Sequence, residues 1–265
     1  MLASTLARLN HAAIWHRSLR VGQDRLRATS LDRLVYLCRW RWLESRNGEL
    51  SFLRSLLRPG MQVVDAGANL GAYSHLFARS VGPQGRVIAF EPDPLLFAAL
   101  VANAKINRLA QIQPHQLALG DRPGTGRLRS ALLNSGDNRL SAGVAGSKGI
   151  ETKIVTLDEF LAGKPVDFIK LDIQGWELHA LRGMVRTLAE NPGVRLYLEL
   201  WPYGLAQAGS SSDELLAFLT EHGFEFEGRP GGSPQAPAAL LKTSARGARQ
   251  AGRASWFMDI HAWRP

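Results

Sequence analysis

From residue 59 onward, short apolar runs rich in β-branched residues alternate with stretches of helical period. This alternation is typical of strand-helix-strand units, in which consecutive strands lie parallel in one sheet. We therefore expect an α/β fold, with a mostly parallel seven-stranded sheet and helices on both faces. The seven predicted strands are, in chain order, 62–65, 86–91, 111–119, 166–172, 194–200, 224–228 and 255–263.

Two later stretches lack any sustained period. Residues 121–150 are rich in Gly, Ser, Asn and Arg, and they predict an irregular loop or lid with room for one short strand. Asn138 and Ser141 are its candidate lid residues, and Asn138 is also a candidate substrate-binding residue, although polar loop residues are usually only solvated. Residues 229–253, rich in Pro, Gly and Ala, predict a flexible basic loop inserted between the last two strands.

The formal charge of +9 is concentrated in two parts of the chain. Residues 1–58 hold 11 Lys and Arg against 4 Asp and Glu, and residues 229–253 hold 5 basic residues and no acidic one. Residues 59–228 hold 15 basic and 18 acidic residues. We therefore expect a basic helical extension over 1–58 and one domain over 59–265, with nucleic acid a disfavoured partner. The extension is a candidate for peripheral membrane contact, and its pattern also fits a helix packed on the domain.

Cysteine content and apolar run length limit where the protein acts. The single cysteine, Cys38, excludes an internal disulfide and any site built from several cysteines, and it fits a reducing compartment. The longest apolar run, near Leu95–Ala102, is far shorter than the roughly 20 residues of a membrane span. We therefore expect a cytoplasmic protein.

A glycine-rich turn follows the first predicted strand. It reads Asp65-Ala-Gly67-Ala-Asn69-Leu-Gly71, and its small residues let backbone groups approach a ligand at the carboxyl end of a parallel sheet. The glycine spacing does not match the dinucleotide pattern G-x-G-x-x-G. Asp65 would oppose a pyrophosphate and would suit a ligand with ammonium and sulfonium groups. The turn therefore favours S-adenosylmethionine over a nicotinamide dinucleotide.

Glu91 ends the second predicted strand, 20 residues after Gly71. A carboxylate at this position can accept both hydrogen bonds of a ribose diol. Turn geometry and charge compensation at helix N-termini would explain the same residues without a ligand. Because both features stand at successive strand ends of one predicted sheet, we expect a nucleotide-like cofactor there.

Several blocks of sequence resemble the FkbM-type methyltransferases in content and in order. The resemblance covers about residues 50–228. It implies a Rossmann-like class I fold, S-adenosylmethionine as the cofactor, and O-methylation of sugars or secondary-metabolite hydroxyls. The blocks are Val63-Val-Asp-Ala-Gly-Ala-Asn-Leu-Gly-Ala-Tyr-Ser74, Phe90-Glu-Pro92, Ala118-Leu-Gly-Asp121, Thr156-Leu-Asp158, Ile169-Lys-Leu-Asp-Ile-Gln-Gly-Trp-Glu177 and Leu198-Glu-Leu200.

The resemblance also implies roles for individual residues. Glu91 would hold the ribose of the cofactor, and Asp121 would lie near its adenine. The block containing Asp172, Gly175 and Glu177 would face the reacting centre. The methionine end of the cofactor would be lined by Asp65, Gly67, Asn69 and Gly71.

Methyl transfer to a hydroxyl is an in-line displacement that depends on alignment and is helped by a nearby base. Asp172 is the first candidate to accept the hydroxyl proton or to orient the acceptor, followed by Glu199 and His179. Alternatively, Asp172 could bind the cofactor ammonium and Glu199 could accept hydrogen bonds from loop amides. His179 could be an ordinary helix-surface residue. No metal site is predicted, because Asp172 and Glu177 have no visible third ligand.

Three aromatic residues follow the last two central strands. Trp176, Trp201 and Tyr203 offer flat rings that could stack on the apolar face of a sugar or polyketide ring. Packing between helix and sheet is the alternative explanation for them. Glu177 joins them as a candidate substrate-binding residue.

The sequence therefore predicts an S-adenosylmethionine-dependent O-methyltransferase for a hydroxyl of a sugar, glycolipid or polyketide-like acceptor. Its partner would be a small molecule, a glycan or a glycolipid, and the pattern indicates no oligomeric state. The alternative is an RNA methyltransferase, or a protein that binds anionic surfaces through the basic segments. An N-methyltransferase of adenine or glutamine is disfavoured, because Asp172-Ile-Gln-Gly stands where an Asn/Asp-Pro-Pro-aromatic run is expected.

Overall fold

The computed structural model describes residues 18–21, 23–28, 48–129, 139–142, 149–228, 232–252 and 256–265. None of the helices in these ranges is long and apolar enough to cross a membrane. The elements are, in chain order, β1 (Ser18–Val21), β2 (Asp24–Arg27), α1 (Gly48–Leu56), β3 (Gln62–Ala66), α2 (Ala72–Val81), β4 (Arg86–Phe90), α3 (Pro94–Ile106), β5 (Ile112–His115), β6 (Ala118–Leu119), β7 (Gly124–Arg129), β8 (Arg139–Ala142), β9 (Ile150–Val155), α4 (Leu157–Leu161), β10 (Phe168–Leu171), α5 (Glu177–Arg182), α6 (Val185–Glu190), β11 (Arg195–Leu200), α7 (Pro202–Gln207), α8 (Ser212–Glu221), β12 (Glu225–Glu227), α9 (Pro237–Ala251) and β13 (Met258–Trp263).

The main sheet has seven strands in the order β5-β4-β3-β10-β11-β13-β12. The strands from β5 to β11 are parallel, and β13 runs antiparallel to both of its neighbours. This topology confirms the predicted α/β fold with a mostly parallel sheet. Because parallel strands end at the same edge, the residues that follow β3, β4, β10 and β11 lie together at the carboxyl edge of the sheet.

Helices cover both faces of the main sheet, as predicted. Successive residues of a strand point to opposite faces, so Val63 and Val64 of β3 belong to two different hydrophobic clusters. The cluster around Val63 includes side chains of α1, α2 and α3, and the cluster around Val64 includes side chains of α5, α8 and α9. Capping residues fix the starts of two of these helices, since Asp93 accepts hydrogen bonds from the first turn of α3 and Ser211 from that of α8.

The N-terminal extension is not helical throughout, and that part of the prediction was wrong. β1 and β2 pair as an antiparallel hairpin, and the helix described before residue 59 is Gly48–Leu56. Asn103 of α3 and Asn107, which directly follows this helix, exchange hydrogen bonds with the backbone of β2, and Leu26 is buried. Tertiary contacts therefore decide this conformation. The predicted helical pattern over 31–42 lies outside the described residues.

The predicted irregular loop over 121–150 contains more strand than expected. Four strands form a separate small sheet in the order β6-β9-β7-β8. β7 buries one large apolar side chain, Leu128, so its sequence carries little hydrophobic pattern, and backbone pairing with β8 and β9 fixes it. Ser141 belongs to β8, whereas Asn138 lies outside the described residues.

The prediction of a flexible loop over 229–253 was wrong over most of its length, because Pro237–Ala251 forms α9. The buried side chains of this helix are Leu240 and Ser244, one turn apart. With so few buried apolar residues, the sequence shows no helical periodicity of hydrophobic positions here. Packing of Leu240 in the hydrophobic core holds the helix in place, which local sequence cannot reveal.

Candidate active site

The glycine-rich turn joins β3 to α2 at the carboxyl edge of the sheet. Three of its residues adopt left-handed backbone conformations, with φ of 77° at Gly67, 56° at Asn69 and 97° at Gly71. A Cβ atom on Gly67 would lie 1.9 Å from the carbonyl oxygen of Asp172, so no side chain fits there. The predicted cofactor turn is therefore in direct contact with the residue predicted to act on the acceptor.

Glu91 ties this turn to the start of α3. Its Oε2 accepts a hydrogen bond from the amide of Asn69 at 2.7 Å, and its Oε1 accepts one from the amide of Asp93 at 2.9 Å. The residue is buried, with 5% of its surface exposed. These two hydrogen bonds fix the direction of the carboxylate at the turn. Its role at the ribose stays a prediction.

Asp65 lies fully buried beneath the turn. The hydroxyl of Ser74 donates a hydrogen bond to its Oδ2 at 2.6 Å, and the Nζ of Lys170 lies 3.7 Å from its Oδ1. Burial raises the pKa of Asp65, and the Lys170 ammonium opposes this shift. Because the side chain has no exposed surface, it supports the turn from inside the sheet instead of forming an open wall at the methionine end of the cofactor.

The end of β10 carries a fixed and partly exposed carboxylate. Lys170 is 2% exposed, and its Nζ lies 3.2 Å from Oδ2 of Asp172 and 4.5 Å from the ring centre of Tyr73. Gln174 donates a hydrogen bond from Nε2 to the other oxygen of Asp172 at 2.9 Å. About a third (36%) of the Asp172 side chain is exposed. The carboxylate therefore has a defined direction and still reaches solvent, which suits a group that orients an acceptor.

Glu199 and Asp259 face each other as register partners on β11 and β13. Glu199 is 8% exposed, and its pKa lies well above the usual range because of burial first and then because of neighbouring carboxylates, above all Asp172. Burial also raises the pKa of Asp259 to about 7, and Glu49 adds to the effect. A raised pKa makes the ionised carboxylate a stronger base. Within the described ranges, no three acidic, His or Cys residues are arranged to hold a metal ion.

Glu177 lies inside the protein, fully buried at the start of α5. Its Oε1 accepts hydrogen bonds from the amides of Ile173 at 3.0 Å and Gly175 at 3.2 Å. Burial raises the pKa of Glu177 to about 7, although these backbone hydrogen bonds oppose the shift. With no exposed surface, it has no route to the predicted substrate contact. It holds the loop that carries Gln174.

His179 is engaged by protein groups at both ring nitrogens. Its Nε2 lies 3.0 Å from the carbonyl oxygen of Ala208, and its Nδ1 lies 3.6 Å from Oδ2 of Asp121. Its ring stacks on Trp176 with 4.0 Å between the ring centres, and Trp176 is only 6% exposed. These contacts favour structural roles for His179 and Trp176 over catalysis and substrate stacking. Asp121 is exposed after β6, and its place near the adenine stays a prediction.

The remaining two aromatic candidates lie at the start of α7. Trp201 is 7% exposed, and a Cβ atom on Gly204 would lie 2.2 Å from its ring, so the ring packs on the backbone of its own helix. Tyr203 is partly exposed, with its ring centre 5.8 Å from that of Trp201. Of the three predicted stacking residues, Tyr203 therefore keeps the most accessible ring.

Sequence reasoning missed two charged residues of this site. Lys170 is the register partner of Asp65, and Asp259 is the register partner of Glu199. The order of strands in the sheet brings these pairs together, and that order is not written in any local pattern. One signal was available for Lys170, since a lysine inside an apolar strand needs a buried partner.

The chain matches a known family over most of its main domain. The sequence model described as "Methyltransferase FkbM domain" matches residues 65–226, which is more than half of the chain. The chain belongs to the FkbM methyltransferase family. As a member it is an S-adenosylmethionine-dependent methyltransferase, so the resemblance carried by its sequence blocks is confirmed.

Individual relatives extend the match to different lengths. The 31-O-demethyl-FK506 methyltransferase FkbM of Streptomyces tacrolimicus is 30% identical over 200 residues, which cover 63% of this chain and 74% of that protein. Methyltransferase 1 of Beauveria bassiana (strain ARSEF 2860) is 26% identical over 144 residues, covering 46% of this chain and 57% of that protein, less than two thirds of its length. The crystal structure of methyltransferase FkbM from Methylobacillus flagellatus KT aligns with a TM-score of 0.48 and 16% identity, over 98% of this chain and 58% of that one.

The hydrogen bonds of the turn fit the cofactor of an FkbM methyltransferase. All five amides from Gly67 to Gly71 donate within the protein, to oxygen atoms of Phe90, Glu91, Asn69 and Ala68. A pyrophosphate would require such amides to be free. S-adenosylmethionine carries a sulfonium, an ammonium and a ribose diol, and no phosphate, so carboxylates such as Glu91 suit it better.

Proposed function

We propose that this methyltransferase transfers a methyl group to a hydroxyl of a sugar, glycolipid or polyketide-like acceptor. The observation that carries the proposal is the contact of Gly67 with the Asp172 carbonyl, which sets the cofactor turn directly beside a partly exposed carboxylate. Leu171 of β10 is the register partner of Leu198 of β11, so the next residues, Asp172 and Glu199, lie side by side. Glu199 therefore supplies a second carboxylate at the same edge. A hydroxyl must lose its proton as the new carbon–oxygen bond forms, and carboxylates can receive it.

The contacts of the two carboxylates suggest different tasks. Asp172 is held by Lys170 and Gln174, so it would orient the acceptor hydroxyl for in-line attack. Glu199 is more buried, and its raised pKa would let it take the proton that the hydroxyl loses. The neighbouring carboxylate of Asp259 favours the protonated form of Glu199 after transfer. S-adenosylmethionine supplies the methyl group from its sulfonium when it is bound.

Two further observations support an oxygen acceptor. The relative from Streptomyces tacrolimicus is named for 31-O-demethyl-FK506, which makes its acceptor an oxygen of a small molecule. The segment after β10 reads Asp172-Ile-Gln-Gly and lacks the Asn/Asp-Pro-Pro-aromatic run expected of the competing N-methyltransferases. An RNA acceptor is the second candidate, and the basic segments 1–58 and 229–253 are what favour it. We place the activity in the cytoplasm, on the strength of the single cysteine.

The deciding experiment follows a labelled methyl group from S-adenosylmethionine into a cell lysate. The lysate is then separated into glycans and glycolipids, RNA, protein and small metabolites. We expect label in the glycan, glycolipid or metabolite fraction, and loss of that label with Asp172→Asn. Label in RNA alone would overturn the acceptor and leave the methyltransferase assignment intact.

Binding measurements separate the cofactor residues from the acceptor residue. Titration calorimetry with S-adenosylmethionine should give substantially weaker binding for Glu91→Ala. Asp65→Ala should also bind it more weakly, because the turn loses the buried side chain that supports it. Asp172→Asn should bind the cofactor and lose turnover, since its carboxylate acts on the acceptor. Glu190→Gln, an exposed position on α6, is the control for a lost carboxylate. Wild-type affinity in both cofactor variants would contradict the assignment of the turn.

A further inference from the structure

The connection between β12 and β13 lies at the same edge of the sheet as the active site. Both β12 and β11 pair antiparallel with β13, so β12 runs parallel to β11 and ends at the carboxyl edge. β13 begins there, where Met258 is the register partner of Leu200. α9 joins these two strand ends, and it is therefore anchored at the edge that carries Asp172 and Glu199.

α9 presents a line of three cations to solvent. Lys242, Arg246 and Arg249 are all exposed, and we call them the α9 stripe. At 3.6 residues per turn, their spacing of four and three residues places them within an arc of about 60° and along about 10 Å of the helix axis. The buried residues Leu240 and Ser244 lie on the opposite side of the helix.

The helix is fixed in rotation, so the stripe has a fixed direction. Leu240 belongs to the hydrophobic core, and a Cβ atom on Gly247 would lie 1.6 Å from Nε1 of Trp256, so this indole packs directly on the helix. Both contacts lie on the side away from the stripe. The three cations therefore face outward because of packing and not by chance rotation.

No carboxylate of the protein neutralises the stripe in the part of the chain that the structure describes. The sequence has no acidic residue between Glu227 and Asp259. Among the described residues, no ion pair joins a carboxylate to Lys242, Arg246 or Arg249. An outward line of unpaired cations on a convex helix cannot enclose a small ligand, which needs a concave site. It matches an extended anionic surface.

We propose that the α9 stripe docks the enzyme on an anionic lipid bilayer, with the carboxyl edge of the sheet turned toward the membrane. Phe257 adds an exposed apolar ring to the same edge, since it is 51% exposed immediately before β13. Exposed aromatic rings are stabilised in the interfacial region of a bilayer beside basic residues. The exposed residues between the cations, Thr243 and Ala245, carry no aromatic ring on which a base could stack.

Docking does not depend on the proposed function. Its consequence for catalysis does, because an acceptor carried by a lipid would then meet the active-site edge directly. Each Lys or Arg near an anionic leaflet strengthens binding by about fivefold, so the three together should contribute about a hundredfold. The effect should fade as salt shortens the screening length from ~10 Å at 0.1 M to ~3 Å at 1 M.

Co-sedimentation of the full-length protein with vesicles tests the proposal. Vesicles of phosphatidylcholine alone are compared with vesicles that also contain phosphatidylglycerol. The triple variant Lys242→Gln/Arg246→Gln/Arg249→Gln should bind the anionic vesicles about a hundredfold more weakly than the wild type. The matched control removes three exposed cations near the opposite, amino-terminal edge of the sheet, with Arg86→Gln/Lys105→Gln/Lys164→Gln. Circular dichroism and thermal unfolding establish that both triple variants are folded.

The outcomes distinguish docking through α9 from its absence and from binding of nucleic acid. Weaker binding by the stripe variant, with wild-type binding by the control, supports docking through α9. Equal loss in both variants, or equal binding to neutral and anionic vesicles, overturns it. Loss of RNA binding in the stripe variant, with unchanged vesicle binding, would assign the surface to nucleic acid instead. Because no methyl acceptor is used, failure here is distinct from failure of the proposed O-methylation.

Discussion

The ammonium of Lys170 lies 3.2 Å from the carboxylate of Asp172 and is shielded from solvent, with 2% of the side chain exposed. On its other side, the same ammonium lies 3.7 Å from Asp65, which is fully buried. A buried charge is costly unless it is paired. One lysine therefore links the carboxylate beneath the cofactor turn to the carboxylate at the acceptor side.

Replacing Lys170 with Gln should destabilise the protein by about 3–5 kcal/mol, because it leaves the buried carboxylate of Asp65 unpaired. Urea unfolding followed by circular dichroism measures this loss. The double variant Asp65→Asn/Lys170→Gln should recover part of it, since both charges are then absent. If the loss of stability in the double variant equals the sum of the losses in Asp65→Asn and Lys170→Gln, the two residues are not coupled.

Gly67→Ala should abolish cofactor binding, because the new methyl group would overlap the carbonyl oxygen of Asp172. Gly60→Ala is the matched control, since Gly60 has a φ of 89° and open space around its missing Cβ. The control should lose only about 1–2 kcal/mol of stability to backbone strain. Calorimetric titration with S-adenosylmethionine and urea unfolding distinguish the two. Similar cofactor affinity for both variants would contradict a tight contact at Gly67.

Glu199→Gln should lower turnover by about 10²–10⁴-fold and leave cofactor affinity unchanged, as expected of a general base. A base must be ionised, so the wild-type rate should fall as the pH drops through the raised pKa of Glu199. Asp259→Asn removes a negative neighbour that raises this pKa. It should therefore move the acidic limb of the pH–rate profile to lower pH. If the acidic limb does not move, the ionisation of Glu199 does not control the rate.

The local sequence pattern was sufficient for the elements whose burial can be read from consecutive residues. β3 and β10 were predicted because each is a short apolar run, buried on both faces of a parallel sheet. The turn after β3 was predicted because a small residue is required where backbone meets backbone, as at Gly67. Each of these signals is contained within a few consecutive residues of the sequence.

Features that depend on distant contacts were missed for the opposite reason. α9 is anchored by Leu240 in the core, and the hairpin β1-β2 by Asn103 of α3 and by Asn107 just after it. Glu177 stands next to the predicted reaction centre in sequence, yet it turns inward to accept the amides of its own loop. Neighbouring positions in sequence can thus face the ligand or the core, and only the three-dimensional arrangement distinguishes them.

Glu177 should make stability fall as the pH rises. Burial raises its pKa from 4.5 to about 7. The folded state therefore holds a proton that the unfolded state releases in this window. The contribution of Glu177 to the free energy of unfolding is complete below pH 4.5 and is lost as the pH passes through about 7. Between these values the free energy of unfolding falls by up to about 1.4 kcal/mol per pH unit.

Urea unfolding of the wild type and of Glu177→Gln, at a series of pH values, isolates this effect, because titrating groups that do not interact with Glu177 cancel in the difference. The Gln side chain can still accept the amides of Ile173 and Gly175 through its oxygen, so the loop should persist. The stability of Glu177→Gln relative to the wild type should therefore increase between about pH 4.5 and 7. Glu221→Gln, an exposed position on α8, is the control. A constant difference for Glu177→Gln across this range would mean that Glu177 is ionised throughout, and its carboxylate would then need a buried cation as a partner.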